Sequence, residues 1–595
     1  ALQDKGLIQY RKTKFYDKNT AIEERGVLVY EAIEIGLYYL NKAFYLNLIP
    51  TFHFTKKNGD SLEKLEYQKR VNYKTNIYNK PYDEMLKKWQ AKLISNGKML
   101  FTYNNYSIEF FTPASSCGGT NQSPNWVKFD AYRLDEPMLS FSTQNTNTAI
   151  NQLKGLAQYG PIDLSFSSKT INRTQIKLCL LSPDNCVKKI LSHLNNLNCK
   201  IPSNGKDSFL PNYEGFNEIY RSPILVPTED QKNLCVTYPY NTAYNYTPRQ
   251  FVDFLKRGID KLALNRTDYD ILVIYIPTSF SKFRNATSIS QDFDLHDALK
   301  LYATDKGVTI QFIEERSLDS SDPCKVLWGL STALYAKASM GVLWQPEEIQ
   351  QNTAYIGISY AISKEKGICI GCSQLFDATG TGMRMLLRKI NSPIFAGHRN
   401  PYMGKDEARS MMIALRDEYY RCNPTSKLDR IVIHKTTPFM KDEIVGIAQA
   451  FEGIADIELI QIQDYNYWRG IRYGLDHKMG AEAYPVERGT VVSLDDSSAL
   501  LWTHGSLKHM ELGKGNYYKN SRGIPSPLLI RRYNGNSSGE TIAKEILMLT
   551  KMNWNSGDSL YKVLPVTLDF AKVLSRMSKQ DEAIFNKAYD FRYFM

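Results

Sequence analysis

Apolar residues along this chain follow two rhythms. In Ile271–Pro277 and Tyr355–Tyr360 they run almost unbroken, the pattern of strands covered on both faces. In Arg249–Leu264, Lys325–Lys337 and Lys405–Tyr420 they return every third or fourth residue, the stripe of a helix with one buried side. Between 216 and 350 the two rhythms alternate: helix 249–264, strand 271–277, helix Leu295–Thr304, strand Val308–Ile313, helix 325–337. That alternation predicts a parallel sheet with helices on both faces. After 350 the strands come first, at Tyr355–Tyr360 and Gly367–Gln374. Helix 405–420, strand Arg430–His434, helix Lys441–Phe451, strand Asp456–Ile462 and a last helix at Thr541–Met552 follow. Residues 1–130 are rich in tyrosine and lysine, with strands expected at Ala43–Phe54 and Met99–Phe111, a helix at Tyr82–Ser95 and a polar loop at Ser115–Pro124. Residues 131–215 carry mixed short elements and turn-rich spacers such as Ile201–Asp207. The expectation is an α/β multidomain protein divided at 1–130, 131–215, 216–350 and 351–595.

Composition narrows the class. A chain of 595 residues exceeds what one core holds. Its 43% hydrophobic and 23% charged residues are those of a globular protein. The formal net charge of +12 is compatible with a polyanionic partner. No run of apolar residues is long enough for a transmembrane helix, and the first residues lack a signal-peptide core. The nine cysteines are scattered. One C-x-x-C, Cys369 and Cys372, stands in a strand-like segment with no second pair at zinc-ribbon spacing, so buried thiols of a cytosolic protein are expected.

Four polar residues stand out in the alternating region. His296 and Lys300 are four apart on one predicted helix and share a face. Gln311 lies in the next strand, and Lys337 ends the next helix. Converging at the strand ends of the sheet, an imidazole, an amide and two ammonium groups would hold a terminal phosphate by charge-assisted hydrogen bonds. Spacing alone also allows four ordinary surface residues on amphipathic helices.

With these residues in this order, the chain resembles the prokaryotic Argonautes. The resemblance implies a Rossmann-like MID domain, an RNase H-like PIWI domain and an α+β N-terminal lobe. Lys300, Gln311 and Lys337 match the MID pocket for the guide 5′-phosphate, with His296 where many relatives have tyrosine and Ala333 where eukaryotic relatives have a second lysine. L-D-E-P-M-L-S-F (Leu134–Phe141) and G-L-A-Q-Y-G-P (Gly155–Pro161) resemble the linker into the MID–PIWI lobe. R-I-V-I-H-K (Arg430–Lys435), R-G-T-V-V (Arg488–Val492), W-T-H-G (Trp502–Gly505), P-S-P-L (Pro525–Leu528) and L-T-K-M-N-W (Leu549–Trp554) resemble PIWI segments. The final R-Y-F-M resembles the aromatic tail beside the MID pocket, where the carboxylate of Met595 would assist a Mg²⁺ ion at the guide phosphate. Lys282 and Arg284 fall in the region that senses the first guide base, and Arg469, with Arg472 after it, resembles a guide-backbone contact.

The same resemblance implies a lost nuclease. Family members hold two catalytic metal ions with acidic or histidine ligands. The ligand positions here fall on Ser359, Thr436 and Lys572, which are two weak ligands and an ammonium that repels Mg²⁺. Glu407 is near the expected position of a fourth ligand, and Asp377 and Asp569 stand near strand ends as misregistered alternatives. Gly36–Phe54 resembles N-domain strands, and the first 130 residues imply an N/L1-like or APAZ-like lobe without PAZ. The implied protein binds a short 5′-phosphorylated guide of DNA or RNA and pairs it with invading plasmid or phage DNA. It passes the signal to a separate effector, such as a helicase–nuclease, a nuclease or an NAD-consuming protein. The alternatives are an active guided nuclease with unusual metal ligands, which cleavage would reveal, and a guide-independent scaffold, indifferent to charge reversal at Lys300 and Lys337.

Overall fold

The computed structural model describes residues 6–11, 13–24, 27–40, 43–56, 82–93, 98–103, 106–111, 129–142, 147–162, 175–205, 210–339, 342–348, 352–362, 369–377, 384–389, 394–396, 400–425, 427–454, 456–464, 466, 468–470, 472, 486–507, 525–555, 561–580 and 587–595. The expected loop Ser115–Pro124 and the side chains of Cys369, Cys372 and Asp377 lie outside them. The chain divides into two compact units, Ala1–Leu134 with Gln463–Glu511 and Gly515–Ile530, and Asp135–Ile462 with Leu512–Lys514 and Arg531–Met595. Part of the expected 351–595 domain groups with the N-terminal residues.

In the first unit a curled antiparallel sheet is built on the hairpin of Val27–Leu40 with Ala43–Lys56. The helix Tyr82–Leu93 sets Trp89 and Leu93 on Leu7, Ile33 and Ile35 of this sheet. The expected strand Met99–Phe111 is two antiparallel strands, Lys98–Tyr103 and Tyr106–Phe111, paired from Lys98 opposite Phe111 to Tyr103 opposite Tyr106.

The second unit contains the parallel sheet that the alternating region predicts. Its order is Ile224–Leu225, Ile176–Pro183, Ile271–Ile276 and Ile310–Glu314, with Cys235–Tyr238 also paired to Ile176–Pro183. The strand Ile176–Pro183 is central here, although it lies inside the expected linker 131–215. The linker's short elements therefore include the first core strand of the sheet. The helix Pro248–Ala263 starts at a capping box of Thr247 and Gln250 with Pro248 in its first turn, and buries Phe251, Leu255, Ile259 and Leu262. The helices Leu295–Asp305 and Pro323–Ser339 complete the layer.

A second sheet of the same unit runs Ala588–Asp590, Arg384–Lys389, Cys369–Asp377, Thr353–Ile362, Arg430–Lys435, Asp456–Gln463, Leu528–Asn534. Thr353–Ile362 is antiparallel to Cys369–Asp377 and parallel to Arg430–Lys435, and the latter is parallel to Asp456–Gln463. One face packs Ile356, Ile358 and Ile433 against Met411, Met412, Leu415 and Ile447 of the helices Lys405–Cys422 and Lys441–Ala450. The helix Val566–Met577 covers the other face. This helix carries Asp569 and Lys572 and is additional to the last expected helix, which forms as Gly539–Leu549. Its close approach requires Gly357, since any Cβ there would collide with the Thr567 carbonyl. Lys551 pins the linker by donating to the carbonyls of Pro137 (2.8 Å) and Ile150 (2.6 Å), and Gly155 leaves room for the Phe141 ring.

Candidate nucleic-acid interface

The four polar residues converge along the outer edge strand Ile310–Glu314 rather than at the strand ends. An edge strand presents unpaired carbonyls, and side chains from the two flanking helices approach this one. Lys337, the last basic residue of helix Pro323–Ser339, donates to the carbonyl of Ile310 (3.1 Å) and to Oε1 of Gln311 (2.6 Å). Gln311 Nε2 donates to the carbonyl of Phe312 at 2.8 Å. The His296 ring stacks on Phe312, with centroids 3.9 Å apart and planes 3° from parallel. Lys300, one turn beyond His296, donates to the main-chain oxygen of Met595 at 2.6 Å.

Electrostatically the cluster gathers basic groups under burial. Burial pushes Lys300 down to about 8 against the favourable charge of Asp297, and pushes Lys337 well below the usual lysine range, where the Lys300 ammonium adds to the shift. Burial, and then the Arg284 guanidinium, pushes His296 down to about 3, so a neutral imidazole accepts from Arg284 Nη1 (2.7 Å to Nε2). Carboxylates stand nearby, but each already has an arginine. Asp294 is held by Arg284 at 3.0 Å, and Asp297 by a two-pronged contact from Arg576 (2.6 and 3.0 Å). The two lysines themselves donate to Met595 O, Ile310 O and Gln311 Oε1. Those oxygens are each taken by an ammonium, so this donor set does not fit the expected Mg²⁺ ion.

Other expected residues are placed differently. Lys282 donates to the carbonyl of Tyr244 and lies 4.1 Å from the centre of its ring, so its ammonium is held there, while Arg284 joins the pocket through His296. Arg469 Nη1 donates to the carbonyls of Asn466 (3.1 Å) and Trp468 (2.6 Å). Arg472 pairs with buried Glu487, which Arg133 also contacts at 3.1 Å. Sequence reasoning missed Arg576 and Asp297, which meet across 279 positions with no local signal.

Of the expected metal-ligand positions, Ser359 meets the helix Val566–Met577, which also carries Lys572. The ladder between Thr353–Ile362 and Arg430–Lys435 ends at Ile358 opposite Lys435, one residue before Ser359 and Thr436. Ser359 Oγ lies 3.2 Å from Ser575 Oγ, and Ser575 is one turn beyond Lys572. Two hydroxyls and an ammonium do not fit a divalent ion. Asp569 accepts from Asn553, Asp377 pairs with Ala354 at the far end of the strand from Ser359, and Glu407 begins the helix on the opposite face. Across the sheet, Lys435 and Glu443 form a fully buried ion pair (2.6 Å), with Tyr360, Tyr402 and Phe439 around the ammonium.

No protein-family model and no curated protein matches the sequence. Solved structures do match. Marinitoga piezophila Argonaute, in complex with a 5′-OH guide RNA and target DNA, superposes with a TM-score of 0.61 at 13% identity, over 97% of this chain and 84% of that one. Clostridium butyricum Argonaute, bound to a guide DNA and a 19-mer target DNA, gives 0.59 at 12% identity, over 99% and 84%. Drosophila Piwi gives 0.57 at 10%, over 100% and 84%. The chain has the Argonaute fold, with the MID–PIWI architecture that its motifs imply. Among the described residues no helix is long and apolar enough to cross a membrane.

Proposed function

We propose that this protein recognises nucleic acid through a bound guide strand and does not cut it. The observation that carries the reading is the pair of buried lysines, Lys300 and Lys337, beside which Asp294 and Asp297 are each already engaged by an arginine. A buried ammonium is costly until an anion or a dense set of dipoles compensates it. A guide 5′-phosphate supplies that anion with the right charge and reach. The two prokaryotic neighbours are bound to guide and target strands, which supports the same pairing logic here, with base pairing reading the target sequence. One of them holds a 5′-OH guide RNA, and the lysines of this pocket favour a phosphorylated end instead.

Loss of cleavage rests on Ser359, Thr436 and Lys572, where hydroxyls and an ammonium replace metal-binding carboxylates. Output then passes to a separate chain, such as a nuclease, a helicase–nuclease or an NAD-consuming enzyme, as part of defence against invading DNA. The test is to purify the protein with its bound nucleic acid and end-label that material before and after phosphatase. Short strands that label only after phosphatase, lost in the K300E/K337E variant, are expected. No bound strand in wild type would overturn the reading. Product cut opposite the middle of the guide, with Mg²⁺ or Mn²⁺, would overturn the claim of inactivity.

A further inference from the structure

The pocket around Lys300 includes a buried negative charge that a distant residue neutralises. Asp297 stands one turn before Lys300 on the helix Leu295–Asp305, on the same face as the lysine. It is 4% exposed, and its carboxylate acts on the Lys300 ammonium. Left alone, that charge would repel the phosphate that the lysine has to reach. Arg576 meets both of its oxygens: Nε donates to Oδ2 at 2.6 Å and Nη2 to Oδ1 at 3.0 Å, the two-pronged geometry of a guanidinium on a carboxylate. The segment that carries the arginine is itself fixed beside the start of this helix. Gln580 accepts from the Asp294 backbone N–H at 3.1 Å and donates to the Asp292 carbonyl at 2.7 Å, and Lys579 pairs with Asp292 at 3.6 Å. Asp294 is satisfied differently, because its Oδ1 caps the helix at the Asp297 N–H (3.0 Å) while Arg284 holds Oδ2.

We propose that Arg576 is a positioning residue that sets specificity for the guide end: by neutralising Asp297 it leaves Lys300 to a 5′-phosphate. The proposal rests on the guide-binding reading above and deepens it. Arg576 acts through Asp297 and not through contact with the guide. Without its guanidinium, Lys300 turns to Asp297 as an internal partner, as Lys435 does with Glu443. A 5′-phosphate then meets a lysine already paired and a carboxylate that repels it. A 5′-hydroxyl carries no charge and is indifferent to the change.

The test measures the affinity of the full chain for one short guide sequence, as DNA and as RNA, each in 5′-phosphorylated and 5′-hydroxyl form. Wild type is compared with R576M, D297N and D297N/R576M. R576M should lose roughly tenfold in its preference for the phosphate, with 5′-hydroxyl affinity unchanged. D297N/R576M should recover the preference to within about twofold of wild type, because the charge to be neutralised is gone. D297N alone should keep it, although it too lacks the ion pair. An R576M protein that keeps the full preference, or that loses both guide forms equally, overturns the proposal, as does a double variant no better than R576M. Where R576M does not fold, D297N decides: loss of the phosphate preference there makes the ion pair a tether between two helices and overturns the proposal. A wild-type protein with no preference for the phosphorylated guide overturns the guide-end reading beneath it.

Discussion

Two regions of the second unit bury lysines, and they handle the charge in opposite ways. Lys435 sits against Glu443, both fully buried, and the carboxylate also accepts from Tyr360 Oη (2.8 Å), Met403 N (3.2 Å) and Met440 N (2.9 Å). The charge is neutralised inside the fold, and the pair ties a strand end to the start of helix Lys441–Ala450. Around Lys300 and Lys337 the nearby side-chain carboxylates, Asp294 and Asp297, are shared with Arg284 and Arg576. A buried charge matched by its own carboxylate side chain is architecture; one whose neighbouring carboxylates are held by arginines is poised for an external anion.

The sharpest way to break this comparison is to remove the internal partner. E443A strands the Lys435 ammonium, and unfolding in denaturant should show a loss of about 3–5 kcal/mol. Adding K435M should recover much of that loss, since the stranded charge is gone. An E443A protein as stable as wild type would mean that the pair is not the source of order at this strand end.

The pocket should respond the other way. K337M removes an unmatched ammonium, so guide-free stability should change by no more than about 1 kcal/mol. Affinity for a 5′-phosphorylated guide should nevertheless fall roughly 10- to 100-fold, with little change for a 5′-hydroxyl guide. A variant that loses both guides equally, or that unfolds, would place Lys337 with Lys435 as architecture. On the other sheet, G357A forces a methyl into the Thr567 carbonyl and should cost about 1–3 kcal/mol by lifting the covering helix. The preference for a phosphorylated guide should survive that change, because the pocket lies on a different sheet.

How far the sequence disclosed this molecule depended on range. Ile271–Ile276 was legible because a fully buried strand needs an unbroken apolar run, and Lys300, Gln311 and Lys337 were legible because their order matches a known pocket. Ile176–Pro183 was lost among short segments, since a brief apolar run carries no period that marks it as a core strand. The edge-strand placement of the pocket was hidden for a related reason: strand order is a property of pairing, and the order Ile176–Pro183, Ile271–Ile276, Ile310–Glu314 is set by partners far apart in the chain. The arginines that occupy Asp294 and Asp297 were equally invisible. The fates of Lys282, Arg469 and Arg472 make the same point in reverse, because a basic residue in the right motif can still be satisfied by a carbonyl or a buried glutamate.

The smallest expected effect is the most diagnostic, because it reads charge without mutation. Lys300 is held to about 8 by burial and Lys337 is shifted in the same direction. A bound phosphate favours the charged ammonium, so binding takes up a proton wherever the free lysine is neutral. The preference for a 5′-phosphorylated over a 5′-hydroxyl guide should therefore weaken as pH rises through about 8, by a few-fold per unit. Below about 6 it should weaken again as the phosphate itself loses charge. Folding follows the same sign: the unfolded lysine binds its proton more tightly, so guide-free stability should rise as pH climbs from about 8 towards the unperturbed lysine value near 10.4. K337M should flatten both trends in part, and Lys300 should account for the remainder. A phosphate preference that stays constant from pH 7 to 9 would mean that these lysines are not the groups that meet the guide end, and would erase the distinction between the two buried charges.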